Sequence, residues 1–338
     1  MELTERKKKI LQLVVDDYIE TAQPVSSKSI TEKYLTTISS ATVRSELSAL
    51  EELGYLYQPH TSAGRVPSKE AYKLYVNELM VKDNLSTKEL DYIEKIFLEK
   101  TNSVEEIIKK TAKVISELTQ YTSLAISSHD GQEIIRNIKL FRIMPESALL
   151  VIVTDTKLFK DAVIELPHDL PDDNLENANN LLAEFFTGKT LAEACADNLK
   201  IDESFAGYKA VFSEVIGALK EYVSRSDEVI TEGEDKIFEH PEYADIDKIR
   251  DFMSVVTKKD KVLNLLSENR SIKLNIKIGA EGYEEIPEHC SLVTATYSAN
   301  GVDIGTYGVI GPQRMDYKKV VSVLENVGKI LEAILTNR

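Results

Sequence analysis

Cysteine is nearly absent from this chain of 338 residues. Cys195 and Cys290 stand far apart with no Cys-x-x-Cys pair, which excludes a disulfide framework and argues against a zinc site. Each is expected to be a small buried apolar residue. Long apolar runs are missing as well. The stretch 148–153 falls far short of the roughly 20 residues that a membrane-spanning helix needs. The first residues carry no apolar stretch of the signal-peptide kind, so a cytoplasmic protein without membrane contact is expected. The five histidines are scattered without metal-ligand spacing. Residues 122–338 show no phosphate loop, no paired catalytic carboxylates and no nucleophile–base constellation. No catalytic residue, metal or cofactor is therefore expected, and the chain is not expected to be an enzyme.

Positive charge is also in short supply. Lys and Arg number 41 against 56 Asp and Glu, a net charge of −15. That balance opposes nucleic-acid binding, which draws much of its affinity from neutralised phosphates. The deficit is unevenly placed, however. The first 80 residues carry ten basic and eleven acidic side chains, a net of −1, so −14 belongs to the remainder. An acidic body repels non-specific DNA and leaves binding to one face.

What is present in residues 1–80 is a pattern of three helices and a ribbon. Thr4 suits the N-cap of a helix in which Ile10, Leu13, Val14 and Tyr18 recur at helical spacing. After Pro24, Ser26 or Ser27 begins a second helix with Ile30 and Tyr34 on one face. Ser40 is expected to cap a third, whose Val43, Leu47, Leu50 and Leu53 form a buried stripe ending at Gly54. Tyr55-Leu56-Tyr57 is β-prone, and Gly64 is expected to turn the chain within 59–67. Helices in this order, followed by a ribbon with a Gly-Arg tip, make a winged helix-turn-helix.

The third helix opposes its apolar stripe with Ser40, Thr42, Arg44, Ser45 and Ser48. A helix entering the major groove needs a first turn free of bulk and supplied with donors. Arg44 can bond a guanine edge in bidentate fashion, at roughly 1–3 kcal/mol of discrimination, or grip a phosphate. Ser27 and Lys28, at the start of the second helix, suit backbone phosphates. The ribbon tip offers His60, Thr61, Ser62 and Arg65, with no acidic residue between Gly54 and Lys69. An arginine among small residues suits a narrow minor groove. His60 is read as a phosphate or hydrogen-bonding contact rather than a metal ligand. A serine-bearing helix face is also what a plain solvated surface looks like; the ribbon directly behind it favours DNA.

Residues 81–120 read as linker helices, with Ile107, Val114, Ile115 and Leu118 on one stripe. Strand-like runs follow at 122–128, 134–143, 148–154 and 158–166. Residues 167–225 turn helical, so the α+β body, 121–166 and 226–338, is interrupted there by a helical or mixed insertion. One amphipathic helix is expected over 245–266 and a strand over 272–278. A hairpin over 292–310 turns at Asn300-Gly301, and a last helix, capped by Asp316, spans 317–335.

Several runs carry a family resemblance. In the head these are 18–21, 24–28, 39–44, 50–56 and above all Pro59-His60-Thr61-Ser62-Ala63-Gly64-Arg65-Val66-Pro67. Farther on they are Pro241-Glu242-Tyr243-Ala244-Asp245, Ile278-Gly279-Ala280-Glu281 and 308–317. Together they resemble the bacterial heat-inducible transcription repressors HrcA across nearly the whole chain. One departure is that Gly282 and Tyr283 stand where many members carry asparagine after the Ile-Gly-x-Glu run.

The resemblance implies a winged-helix head, a GAF-like domain and an inserted dimerising domain, agreeing with the interruption placed at 167–225. It implies a homodimer on an inverted-repeat operator before chaperone operons, kept active by the GroEL chaperonin. An alternative is a metabolite-responsive winged-helix repressor with a ligand in the GAF-like domain. A filled core is the plainer reading of that domain, so a small-molecule effector is not expected.

Overall fold

The structure is a computed structural model. It describes residues 3–60, 63–98, 104–127, 131, 133–155, 159–167, 170–196, 207–224, 229–267, 273–280, 286–299 and 302–336. Among the described residues it is a mixed α+β chain with three sheets.

The head begins with α1 (Glu5–Thr21), α2 (Ser27–Lys33) and α3 (Ser40–Glu52). Thr4 caps α1, its side chain accepting from the Lys7 amide. Buried Ile10, Leu11 and Val14 of α1 meet Ile30 of α2 and Val43, Leu47 and Leu50 of α3 in one core. A short ribbon follows, β1 (Leu56–Tyr57) and β2 (Val66–Pro67), with Tyr57 opposite Val66. Next come α4 (Lys69–Leu74) and a π-helical turn, Tyr75–Leu79. Tyr72 and Tyr75 are buried, and Tyr72 lies against Tyr317 at 6.1 Å between ring centroids.

The helices α5 (Thr87–Leu98) and α6 (Val104–Thr119) differ from the expected linker. Buried Ile93 of α5 and Ile107, Ala112 and Ile115 of α6 belong to the same apolar cluster as the head and the main sheet. Their stripes are core faces, and α6 is a layer of the body.

The main sheet runs β7-β3-β10-β9-β8 and is antiparallel throughout. Its strands are β3 (Thr122–Ser127), β7 (Val229–Glu232), β8 (Leu274–Ile278), β9 (Cys290–Ala299) and β10 (Val302–Pro312). The strand alternation explains its two covered faces. Ala125, Val293, Tyr307 and Val309 point toward α6 and α12 (Tyr317–Thr336). Leu124, Ile126, Leu292 and Ile310 point toward α10 (Ile246–Val256) and α11 (Lys259–Ser267). The single helix expected over 245–266 is thus two, broken at Thr257 and Lys258. Asp316 caps α12 by accepting from the Lys319 amide at 3.1 Å. Of the cysteines, Cys290 is buried, with Sγ 3.1 Å from the Tyr243 hydroxyl, whereas Cys195 is only partly covered. The Asn300-Gly301 turn and the Gly282-Tyr283 departure lie outside the described residues.

The insertion is larger than expected. The strands β4 (Ile135–Met144), β5 (Ser147–Thr154) and β6 (Phe159–Glu165) do not join the main sheet. They form their own antiparallel sheet, β4-β5-β6, with Phe141 opposite Leu149 and Leu149 opposite Val163. One face buries Ile138, Leu140, Leu150, Ile152 and Ile164 against α7 (Asp172–Phe186), α8 (Leu191–Ala194) and α9 (Lys209–Ser224). The separate unit therefore begins near Ile134 rather than at Pro167. The other face carries Phe141, Leu149, Val151, Val153 and Val163, of which Val163 is 69% exposed.

Candidate nucleic-acid interface

The start of α3 is shaped by its cap. Ser39, not Ser40, is the N-cap: its side chain accepts from the Thr42 amide at 3.1 Å and lies 2.8 Å from the Thr42 hydroxyl. Thr42 is thereby tied to the cap. One residue later, Ser40 Oγ lies 3.1 Å from Ser27 Oγ. Ser27 is buried, so this expected phosphate contact instead joins the first turns of α2 and α3. Ser26, the α2 cap, is exposed beside it.

Arg44 and Ser45 are exposed on α3, Ser40 is exposed at its first position, and Ser48 is half-buried one turn farther on. Among the described residues Arg44 has no ion-pair partner. Lys28 is exposed, 3.8 Å from Glu32 on its own helix. Ser40, Arg44 and Ser48 recur at four-residue spacing along one face of α3, and Ser40 meets Ser27, the chain neighbour of Lys28.

The far end of α3 is closed by Gly54, at φ +80°. Its amide donates to the Glu51 carbonyl and the Tyr55 amide to the Leu50 carbonyl, the paired bonds of a Schellman motif. Leu53 falls outside the predicted stripe and is 43% exposed, because the helix has turned away from the core by then. Tyr34 likewise leaves the Ile30 face. It is exposed and donates its hydroxyl to the buried Asp17 carboxylate at 3.2 Å. Lys33 donates to the same oxygen at 2.6 Å, and that hydrogen bond pushes its pKa above the ordinary lysine value.

The ribbon departs most from expectation. Arg65 does not project from the tip: its side chain is 17% exposed and its Nη2 lies 2.8 Å from Glu51 of α3. Its amide and carbonyl pair with Val25, at 2.7 and 2.8 Å. The return strand is thus stitched both to the residue before the α2 cap and to the end of α3. Gly64 has no left-handed backbone; a Cβ there would lie 2.5 Å from the Pro24 carbonyl and from Val25 backbone atoms. Close approach, not a turn, requires this glycine. At the tip, His60 is exposed, and its carbonyl accepts from the Ala63 amide at 2.8 Å. Thr61 and Ser62 lie outside the described residues.

Two cations missed by the sequence reading complete the face. Lys7 Nζ lies 2.8 Å and Arg6 Nη1 3.8 Å from Glu46, the acidic residue in the middle of α3. The basic run at 6–9 was visible, but only the packing of α1 across α3 shows its target. Both acids facing the neighbours of α3, Glu46 and Glu51, are therefore matched by cations from other elements. Among the described residues no group of three or more His, Cys, Asp or Glu side chains could hold a metal. No described helix is long and apolar enough to cross a membrane.

Residues 105–321 match the model of the HrcA protein C-terminal domain. Over nearly their full lengths, relatives named heat-inducible transcription repressor HrcA align with this chain. That of Carboxydothermus hydrogenoformans is 35% identical, covering 99% of each chain. That of Clostridium tetani is 37% identical, covering 99% of this chain and 96% of its own. The chain belongs to the HrcA family. This is a family of transcription repressors, not of enzymes, as expected from the motifs. A crystal structure at 2.2 Å of a protein described as hypothetical shares the fold of this HrcA chain. The TM-score is 0.63 at 21% identity, with 99% of each chain covered.

Proposed function

We propose that this HrcA chain is a heat-inducible repressor of chaperone operons whose head is a winged helix-turn-helix, with the start of α3 in the major groove. One observation carries the reading of the site. Exposed Ser40 and Arg44 lie four residues apart on one face of α3, with exposed Ser45 next to Arg44, while Glu46 is held by Lys7 and Arg6. An exposed, unpaired guanidinium among short hydroxyls is what base-edge readout needs. Lys28, Thr42, Ser48 and His60 would serve phosphates, as would Thr61 and Ser62. Arg65 acts by holding the ribbon to Glu51. Titrating a chaperone-operon promoter fragment with wild-type protein and with Arg44→Ala tests this; equal affinity refutes it.

The finer reading is a cytoplasmic homodimer on an inverted repeat. The unit 135–224 would be the inserted dimerising domain, and the main sheet with its two helical layers would be GAF-like. Support for the dimer comes from the uncovered apolar face of Phe141, Leu149, Val151, Val153 and Val163, which a second copy would bury. A chaperonin of the GroEL type as activator rests on the family resemblance and on a physical argument. A chain whose sheet closes across a long insertion folds slowly and exposes apolar surface on the way. Adding purified chaperonin to the binding assay should raise the bound fraction, and indifference to it refutes this part.

The metabolite-responsive alternative finds less support. A groove of about 1120 Å³ lies on the insertion between β4 and α7 rather than in the main body, lined by Lys139, Arg142 and Asp172 among others. There Arg142 is already engaged with Asp172 at 2.7 Å and with the Leu170 carbonyl at 2.6 Å.

A further inference from the structure

Two of the sequence runs shared with the family, 241–245 and 308–317, take no part in the DNA face. They meet against the head at the C-terminal end of α1. Glu242 of the first and Arg314 of the second form an ion pair through Nε, with the Arg314 side chain 12% and the Glu242 side chain 24% exposed. The same guanidinium donates through Nη1 to the Ile19 carbonyl at 2.9 Å. Ile19 is in the last turn of α1, where carbonyls lack helical partners and a cation is favoured.

The neighbours of Arg314 also engage the head. Lys318 lies 2.8 Å from Asp16 of α1, whose carboxylate accepts the Tyr75 hydroxyl at 2.5 Å. Tyr317 packs against Tyr72. The seat itself is stiff. The Met315 amide donates to the Pro312 carbonyl, the Tyr317 hydroxyl is bonded to Ser291 and Gln313, and Met315 is fully buried.

We propose that Arg314, braced by Glu242, is the positioning residue that fixes the angle of the head on the body and so sets how far apart two heads stand on DNA. A planar guanidinium suits this role because it bonds a carboxylate of the body and a carbonyl of the head at once. Lysine, a point charge, cannot reproduce both directions. Arg314 touches no DNA, and its effect is confined to sites that two heads must fit together. The inference rests on the dimeric reading above, and its test separates the two.

The experiment uses the full-length protein and duplexes that wild type selects from a random-sequence pool, as the whole inverted repeat and as a single half-site. Wild type should prefer the whole repeat. Arg314→Gln should lower that preference by about tenfold, the loss expected for one charge-assisted hydrogen bond, with half-site affinity unchanged. An undiminished preference overturns the proposal. If wild type shows no preference, the dimeric reading fails, and hydrogen exchange of the free protein decides. Faster exchange in α1 and α4 of the variant, with the main sheet unchanged, supports the positioning role, and identical exchange overturns it. Should Arg314→Gln lose its fold by stranding the Glu242 carboxylate, Arg314→Gln combined with Glu242→Gln removes both charges. The double variant should show the same selective loss, and a wild-type preference in it overturns the proposal.

Discussion

Arg65 and Glu51 are joined at 2.8 Å, which locks the returning strand of the ribbon to the end of α3. The ribbon and the proposed reading helix accordingly move as one piece, and the two arginines of the head separate by role: Arg44 faces outward, Arg65 inward.

That separation predicts different losses. Arg44→Ala should weaken operator binding by about 1–3 kcal/mol, roughly five- to 150-fold, with the melting temperature unchanged. Arg65→Ala should lower the melting temperature and weaken binding indirectly, because Glu51 loses its partner and the ribbon its anchor. Gel-shift titration at fixed salt, paired with thermal unfolding, reads both. A destabilised Arg44→Ala or a fully stable Arg65→Ala would contradict the assignment.

Gly64→Ala should be among the more damaging small changes in the head. The added methyl meets backbone atoms at 2.5 Å, which cannot rotate aside as a side chain would. Displacing the strand breaks the two hydrogen bonds between Val25 and Arg65. A loss of about 1–3 kcal/mol is expected, measurable by denaturant unfolding. A neutral result would mean that the strand shifts freely.

The open face of the insertion gives a prediction about assembly. Val163→Glu places a charge among Phe141, Leu149 and Val151 at a position 69% exposed in the single chain. The protomer should fold normally and sediment as a monomer, since burying an unpaired carboxylate at an interface is strongly unfavourable. Wild-type association by this variant would move the dimer interface elsewhere.

Glu89 offers a pH test. Its hydrogen bond from Lys319 and those from Ser86 hold its carboxyl down to about 2, below the ordinary carboxylate range. A depressed carboxylate stabilises the fold above its unfolded pKa, near about 4.3. That contribution fades as the pH falls toward about 2. The gap in melting temperature between wild type and Glu89→Gln should therefore be largest near neutrality, shrink below about pH 4 and close as the pH falls through about 2. A gap that persists undiminished at pH 2 would rule out the ionised pair as its source.

The sequence made the local features of the head legible because they are set by nearby residues. Thr4, the apolar stripe Val43–Leu47–Leu50 and Gly54 each act within a turn or two of helix. What it hid depends on distant partners. The Arg65 side chain turns inward because Glu51 lies beside it, and no spacing rule predicts that pairing. Ser27 is buried because the first turn of α3 lands on it. The strands at 135–165 resemble those of the main sheet in composition. Their membership of a separate sheet follows from which edges meet, something residue content does not encode.

The insertion leaves the body after β3 and returns at β7, and those two strands lie side by side, with Ser123 opposite Glu232. Four residues of β7, all only half-covered, thus zip shut a loop of about a hundred. An edge so short is the natural place for the sheet to begin to unbutton on warming. Once those pairings part, the unit 135–224 is held to the main sheet through β3, which stays paired with β10, while the hydrogen bonds between Val25 and Arg65 in the head are untouched.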